Sequence, residues 1–268
     1  MKDRLDKVLF ELGYFETKSK AQSAIMAGDV KIDGKVITKS GYQFEKKENT
    51  QIDISSMPYV SRGGYKLAKA FSDFDINVKD RICLDAGAST GGFTDCMLQN
   101  GAKKVYSVDV GYGQIAWKLR TDDRVKVVER INIKNCPASE IYSDDDEKAS
   151  FCAADLSFIS LKKVLKNILN LLISQDIDVI TLIKPQFEAG KDEVGKNGVV
   201  RDKNIHLKVI NEIIEYAETI GLYAVNFTVS PIKGPAGNIE YLVHFSDNKE
   251  KMQNYNIENT VFADFSNK

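Results

Sequence analysis

Residues 82–97 read Ile-Cys-Leu-Asp-Ala-Gly-Ala-Ser-Thr-Gly-Gly-Phe-Thr-Asp-Cys-Met, an apolar strand closed by an acid, a glycine-rich turn and the opening of a helix. No other stretch leaves so few folds open. Glycines at 87, 91 and 92 let backbone come close to a ligand, and the helix behind them offers unpaired N–H groups at its N-terminus. The spacing is not that of the dinucleotide fingerprint, because Ser89 stands where the middle glycine belongs. A second apolar strand, 105–109, closes on Asp109, at the distance where a ribose-hydroxyl ligand is expected. Taken alone, the loop also fits an ordinary strand-to-helix turn whose glycines serve helix packing.

From that loop onward strand and helix patterns alternate: strands at 82–86, 104–109, 125–129, 151–155, 178–183, 223–229 and 239–245, with helices at 91–100, 115–119, 161–172 and 205–220. Alternation of this kind predicts an α/β fold with a parallel, doubly wound sheet, its last two strands forming a hairpin. Ligands in such sheets sit beyond the carboxyl ends of the strands. That rule picks out Asp155, which closes Phe151-Cys-Ala-Ala, and Lys184, which closes Val179-Ile-Thr-Leu-Ile. A charge directly after a buried strand must be paired or functional, since burying it alone is costly.

Length and composition narrow the class. At 268 residues and 43% hydrophobic content the chain can bury one large core and a small one. It has no apolar run of about 18 residues and no charged-then-apolar leader, so the expectation is a cytoplasmic protein that does not act in membranes. Cys83, Cys96, Cys136 and Cys152 form no Cys-x-x-Cys pair, which predicts reduced, buried thiols and no metal site. His206 and His244 fall in amphipathic or apolar patterns and are expected to be structural. A net charge of -1 excludes a global nucleic-acid signature.

The N-terminal 58 residues form a separate module. Leu5, Val8, Leu9 and Leu12 recur at helical spacing before Gly13; a second helix from Thr17 or Ser19 to Gly28 carries Ala21, Ala24, Ile25 and Met26 on one face. Val30-Lys-Ile, Asp33-Gly34 and Val36-Ile-Thr read as a hairpin, and Ile52-Asp-Ile as a further strand. Residues 59–64 have the composition of a linker, 65–248 make the larger domain, and 249–268 form a tail without a motif. The module counts 10 basic against 9 acidic residues over 1–59, so charge alone would not assign it to RNA.

Sequence motifs go further. Arg4-Leu-Asp with Leu9, Ser19-Lys20 with Ala24, and Ala27-Gly-x-Val-x-Ile-Asp-Gly-Lys35 resemble the S-four-type RNA-binding domain, a small α+β fold. That resemblance implies phosphate contacts at Arg4, Lys18, Lys20, Lys31, Lys35 and Lys39, with Arg62 beyond the module. Lys20 stands where arginine is common, which keeps the charge and loses a bidentate donor. The Asp-x-Gly-x-x-x-Gly-Gly turn followed by strand-Asp resembles the S-adenosylmethionine (SAM) site of a Rossmann-like methyltransferase. The implied cofactor contacts are Asp85, Gly87, Ser89, Gly91, Gly92 and Phe93, with Asp109 on the ribose and Asn132 near the adenine.

Tyr59 to Leu67, Leu84 to Asp95, Asp155 to Leu161, Ile183 to Gly190 and Gly234 to Tyr241 resemble, in order, the motifs of the TlyA family. These are rRNA cytidine 2'-O-methyltransferases, historically also labelled hemolysin A, which join an S-four-type domain to an FtsJ-like methyltransferase. The resemblance implies ribosomal RNA or ribosomal subunits as partners and a Lys-Asp-Lys-Glu tetrad at Lys66, Asp155, Lys184 and Glu240. Two other readings stand beside it: an RNA-binding assembly factor with an inactive methyltransferase domain, and a membrane-active hemolysin.

Overall fold

The structure, a computed structural model, describes residues 2–15, 17–47, 49–54 and 58–266. The chain falls into two units, Met1–Pro58 and Tyr59–Lys268.

In the first unit, β1 (Asp3–Arg4) leads into α1 (Leu5–Glu11), followed by α2 (Lys18–Ala27), β2 (Val30–Ile32), β3 (Lys35–Val36), β4 (Gln43–Phe44) and β5 (Ile52–Ile54). Thr17 caps α2 by accepting the Lys20 N–H at 3.1 Å, and Gly28 ends it in the left-handed region at φ +83°. The β2–β3 turn is a tight one because Asp33 and Gly34 both take positive φ, 48° and 77°. Leu5, Leu9, Ala21, Ala24, Ile25, Val30, Ile32 and Phe44 form the core. Met26 does not share that face: it is 55% exposed, since one residue after Ile25 the helix has turned about 100° away from the core. Strand β3 stops at Val36, short of the expected Thr38. The pairing of β1 with β4 involves only two residues each, too few for a sequence pattern.

The second unit opens with α3 (Gly63–Phe74) and continues β6 (Ile82–Ala86), α4 (Gly92–Gln99), β7 (Lys104–Asp109), α5 (Trp117–Arg120), β8 (Val125–Glu129), β9 (Phe151–Ala154), α6 (Leu165–Asn170), β10 (Asp178–Ile183), α7 (Pro185–Glu188), α8 (Lys203–Thr219), β11 (Tyr223–Val229), β12 (Tyr241–Ser246) and α9 (Ile257–Ser266). Its seven-stranded sheet has the order β11-β12-β10-β9-β6-β7-β8. From β6 the chain runs outward through β7 and β8, then returns to place β9 on the other side of β6. The order therefore reverses at the β6/β9 boundary, where a crevice opens beyond the strand ends. Alternate strand residues face opposite layers. Cys83, Val105, Phe151, Ala153 and Leu182 pack with α3 and α4, while Leu84, Tyr106, Cys152, Val179 and Val243 pack with α6, α8 and α9.

Strand β12 runs antiparallel between β10 and β11. Its register sets Tyr241 opposite Ile183, so the start of β12 lies at the carboxyl edge of β10. The last segment is not a loose tail. Helix α9 lies against the core with Val261 fully buried, and Lys203 Nζ sits 4.1 Å from the Phe262 ring. Nor do residues 59–62 behave as a free linker: the Val60 N–H donates to Asp95 at 2.7 Å, and a Cβ on Gly64 would lie 2.2 Å from the Tyr59 side chain. The expected helix over 161–172 is interrupted, with a 3-10 turn at Leu161–Lys163 before α6.

Candidate active site

Three strand ends and one helix converge on the crevice. Asp155 follows β9, Lys184 follows β10 and caps α7, Glu240 precedes β12, and Lys66 lies in the first turns of α3. Lys66 Nζ reaches Asp155 Oδ2 at 3.2 Å and Glu240 Oε2 at 2.8 Å; Lys184 Nζ reaches Asp155 Oδ1 at 2.5 Å and Ser157 Oγ at 3.0 Å. Asp155 thus stands between two ammonium groups, one on each carboxylate oxygen. Burial opposes ionisation of Asp155, but the Lys66 and Lys184 charges prevail and hold its carboxyl below the usual range. At Lys66 burial favours losing the proton, and the Asp155 and Glu240 carboxylates outweigh it, so this ammonium keeps its proton more firmly than a free lysine. The four residues line a cavity of about 650 Å³, room for a nucleoside-sized ligand.

On the opposite wall of the cavity is the glycine loop. Gly87, Ser89, Gly92 and Phe93 line it, together with Ser61, Arg62, Ala88 and Thr90. Four of the residues expected to contact the cofactor are not among those lining this cavity. Asp85 is fully buried behind the loop, where its Oδ2 accepts the Thr94 N–H at 2.8 Å and the Thr94 hydroxyl at 2.6 Å, stitching β6 to α4. Burial pushes its carboxyl up to about 7, against the pull of those hydrogen bonds. Gly91, at φ +94°, makes room for protein, since a Cβ there would lie 2.3 Å from the Leu119 side chain. Asp109 supports the loop from β7, accepting N–H donors from Ser89 at 2.8 Å and Gly111 at 2.6 Å. Asn132 opens onto a neighbouring depression shared with Lys134, Phe158, Lys163 and Phe187.

The loop's glycines thus answer first to internal packing. Gly87 at φ +89° abuts the backbone oxygen of Asp155, and Gly92 abuts Ser61. Their lack of side chains lets two walls of one cavity, the loop and the Asp155 turn, touch each other. The first turn of α4 opens on the same space through Gly92 and Phe93, and together these features fit a nucleoside-type cofactor. Among the described residues, no group of three or more His, Cys, Asp or Glu side chains could hold a metal ion, and no helix is long and apolar enough to cross a membrane.

Several cavity residues carried no sequence signal of their own. Ser157, Gln186, Asn197 and Lys233 are among them; Ser157 lies within the Asp155–Leu161 motif without a role in it. Phe158, also in that motif, is 90% exposed at φ +63°, with its ring 5.0 Å from Phe187. Glu188 accepts the Leu161 N–H at 2.8 Å and so ties the loop after β9 to the one after β10.

In the first unit Lys18, Lys20, Lys31, Lys35 and Lys39 are exposed. Arg4 is held by Asp6 through Nε at 3.1 Å and Nη2 at 2.6 Å, a pairing that also keeps buried Asp6 ionised by drawing its carboxyl down to about 2. Arg62 belongs to the second unit, at the cavity wall. His206 is structural: Nε2 faces the Val200 carbonyl at 3.0 Å and must donate, so Nδ1 accepts from the Tyr241 hydroxyl at 2.8 Å.

Residues 59–247 match the FtsJ-like methyltransferase family and residues 3–49 the S4 domain. The chain is 41% identical over 241 residues to the 16S/23S rRNA (cytidine-2'-O)-methyltransferase TlyA of Mycobacterium tuberculosis, covering 90% of this chain and 88% of that one. It is 46% identical over 242 residues to Hemolysin A of Brachyspira hyodysenteriae, covering 90% and 99%. Among solved structures, a hemolysin candidate from Streptococcus thermophilus superposes with a TM-score of 0.74 at 38% identity, covering 99% of this chain and 95% of that one.

Proposed function

The chain belongs to the FtsJ-like methyltransferase family, with an S4 domain in its N-terminal unit, and from that premise we propose that it methylates the 2'-oxygen of a cytidine in ribosomal RNA, using SAM. The observation that carries this reading is the Lys66–Asp155–Lys184–Glu240 cluster on the wall of a cavity whose other wall is the glycine loop. The names of the relatives supply the substrate class. We read the protein as cytoplasmic, because the proposed substrate is there.

A ribose hydroxyl is a poor nucleophile and needs a base beside it and a fixed line of attack. Bound SAM would supply a methyl group from a positively charged sulfur. Lys184 is the base, a neutral amine that takes the hydroxyl proton as the oxygen is methylated. Lys66, held protonated by Asp155 and Glu240, positions the ribose and disfavours a second ammonium nearby. Gly87, Ser89, Gly92 and Phe93 form the cofactor wall, and Asp109 acts on the ribose side by holding Ser89 and Gly111. The exposed lysines of the first unit, Lys18, Lys20, Lys31, Lys35 and Lys39, contact phosphates, so RNA affinity falls with salt.

The test is methyl transfer from labelled SAM to purified ribosomal subunits, followed by alkaline hydrolysis. The expected result is a labelled dinucleotide that resists cleavage, because a methylated 2'-oxygen cannot attack its phosphate. Label confined to bases, or no transfer to either subunit, would overturn the reading.

A further inference from the structure

We propose that Ser157 is a positioning residue that aims the lone pair of Lys184 at the substrate hydroxyl. The inference rests on Lys184 being the base. Lys184 Nζ lies within hydrogen-bond distance of Asp155 Oδ1 at 2.5 Å and of Ser157 Oγ at 3.0 Å. A neutral amine has two N–H bonds and one lone pair arranged tetrahedrally. If only Asp155 held it, the amine could rotate about Cε–Nζ and the lone pair would sweep a cone. With Asp155 and Ser157 each taking one N–H, rotation stops and the lone pair has one direction left, into the cavity that all three residues line. Proton transfer needs that alignment, because its rate depends on the reacting atoms meeting in line.

The turn that carries Ser157 is held at a cost, which is a second and independent observation. The next residue, Phe158, is a bulky aromatic at φ +63°, a backbone region that such residues rarely enter. Contacts on each side hold the turn there. Phe158 packs on Phe187 at 5.0 Å, and Glu188 accepts the Leu161 N–H at 2.8 Å. Burial raises the Glu188 carboxyl, yet Ser160 and the Leu161 N–H still bind it. Both latches come from α7, the helix that Lys184 caps, so base and serine are fastened to one another through a single short element.

The charged groups facing Lys184 are Asp155 at the end of β9, Lys66 from α3 through their shared carboxylate, and Glu240 behind Lys66; Arg62 and Lys233 line the same cavity. Removing the Ser157 hydroxyl frees rotation about Cε–Nζ, so misaligned amines lower the plateau of turnover.

The experiment is single-turnover methylation by the full chain across pH, with saturating SAM and ribosomal subunits. Ser157→Ala should lower the plateau about tenfold, the scale of one hydrogen bond, with the SAM and RNA dissociation constants unchanged. Ser157→Thr, which keeps the hydroxyl, should recover most of the plateau. A Ser157→Ala plateau within about twofold of the native value, a matching loss of SAM affinity, or no recovery by Ser157→Thr would each overturn the inference. Lys184→Arg, run alongside, separates the two layers. If it retains turnover, the base assignment itself fails; if it is inactive while Ser157→Ala keeps a normal plateau, only the serine inference does.

Discussion

Strand β10 has a charged cluster at each end. At its carboxyl end Lys66, Asp155, Lys184 and Glu240 interlock. At its amino end Asp178 accepts from Arg81 at 2.7 Å, His244 at 2.8 Å and Lys251 at 3.1 Å, with the Phe74 ring stacked over the His244 ring. Both clusters centre on a carboxylate shared among cations and both join several strands. What separates them is access. The amino-end cluster is covered in part by Phe74 and fastened to Ser150 through Arg81, with Lys251 at its exposed edge, while the carboxyl-end cluster faces a cavity of about 650 Å³. A buried ionic network is therefore not a functional site by virtue of its charges. It becomes one where the sheet order reverses and leaves room for a ligand.

Three substitutions test that division, from the largest effect to the smallest. Lys184→Arg keeps the charge but cannot give up a proton near neutral pH, so turnover should fall about 10²- to 10⁴-fold, the usual worth of a general base. Single-turnover kinetics measures this, with the denaturation midpoint nearly unmoved. Asp178→Asn should do the reverse, costing about 3 kcal/mol in urea unfolding by leaving Arg81 and Lys251 without their shared anion, while the folded fraction keeps its turnover. If turnover drops with stability, the two ends are coupled and the comparison fails.

The acid limb sharpens the second case. Burial works against Asp178, but hydrogen bonds from His244 and Arg81 draw its carboxyl below the ordinary 3.8. A depressed acid stabilises the fold above its unfolded value, and that contribution is lost as pH falls from about 4 toward the folded value. The native chain should lose stability over this range more steeply than Asp178→Asn. The smallest effect is Lys251→Ala, under about 1 kcal/mol by the same measurement, because Lys251 is partly exposed and Asp178 keeps two other partners.

The sequence was legible wherever a local rule fixes a position. Asp155 and Lys184 stand out because a charge directly follows an apolar strand, and Asp33-Gly34 because only such pairs make that turn cheaply. The two partners Lys66 and Glu240 had no local signal; only motif resemblance nominated them. Their proximity depends on α3 packing against the sheet and on β12 inserting beside β10, which are tertiary events. Asp85, Gly91 and Asp109 were nominated as ligands because glycines and acids in a turn suit either a ligand or the protein itself, and each also serves the protein: Asp85 and Asp109 accept backbone N–H donors and Gly91 makes room for the Leu119 side chain. Ser157 shows the opposite failure. Its role depends on where a lysine 27 residues later places its ammonium.

The insertion of β12 also gives the site a schedule. Glu240 follows Lys66, Asp155 and Lys184 along the chain, just before the strand that completes the sheet between β10 and β11. During synthesis everything else in the cluster emerges earlier, and β11 has no hydrogen-bonding partner in the sheet until β12 arrives. Its pairing with β10 spans a long stretch of sequence, and pairing of that kind is slow. A chain still being made therefore presents its lysines and Asp155 before the carboxylate that anchors Lys66.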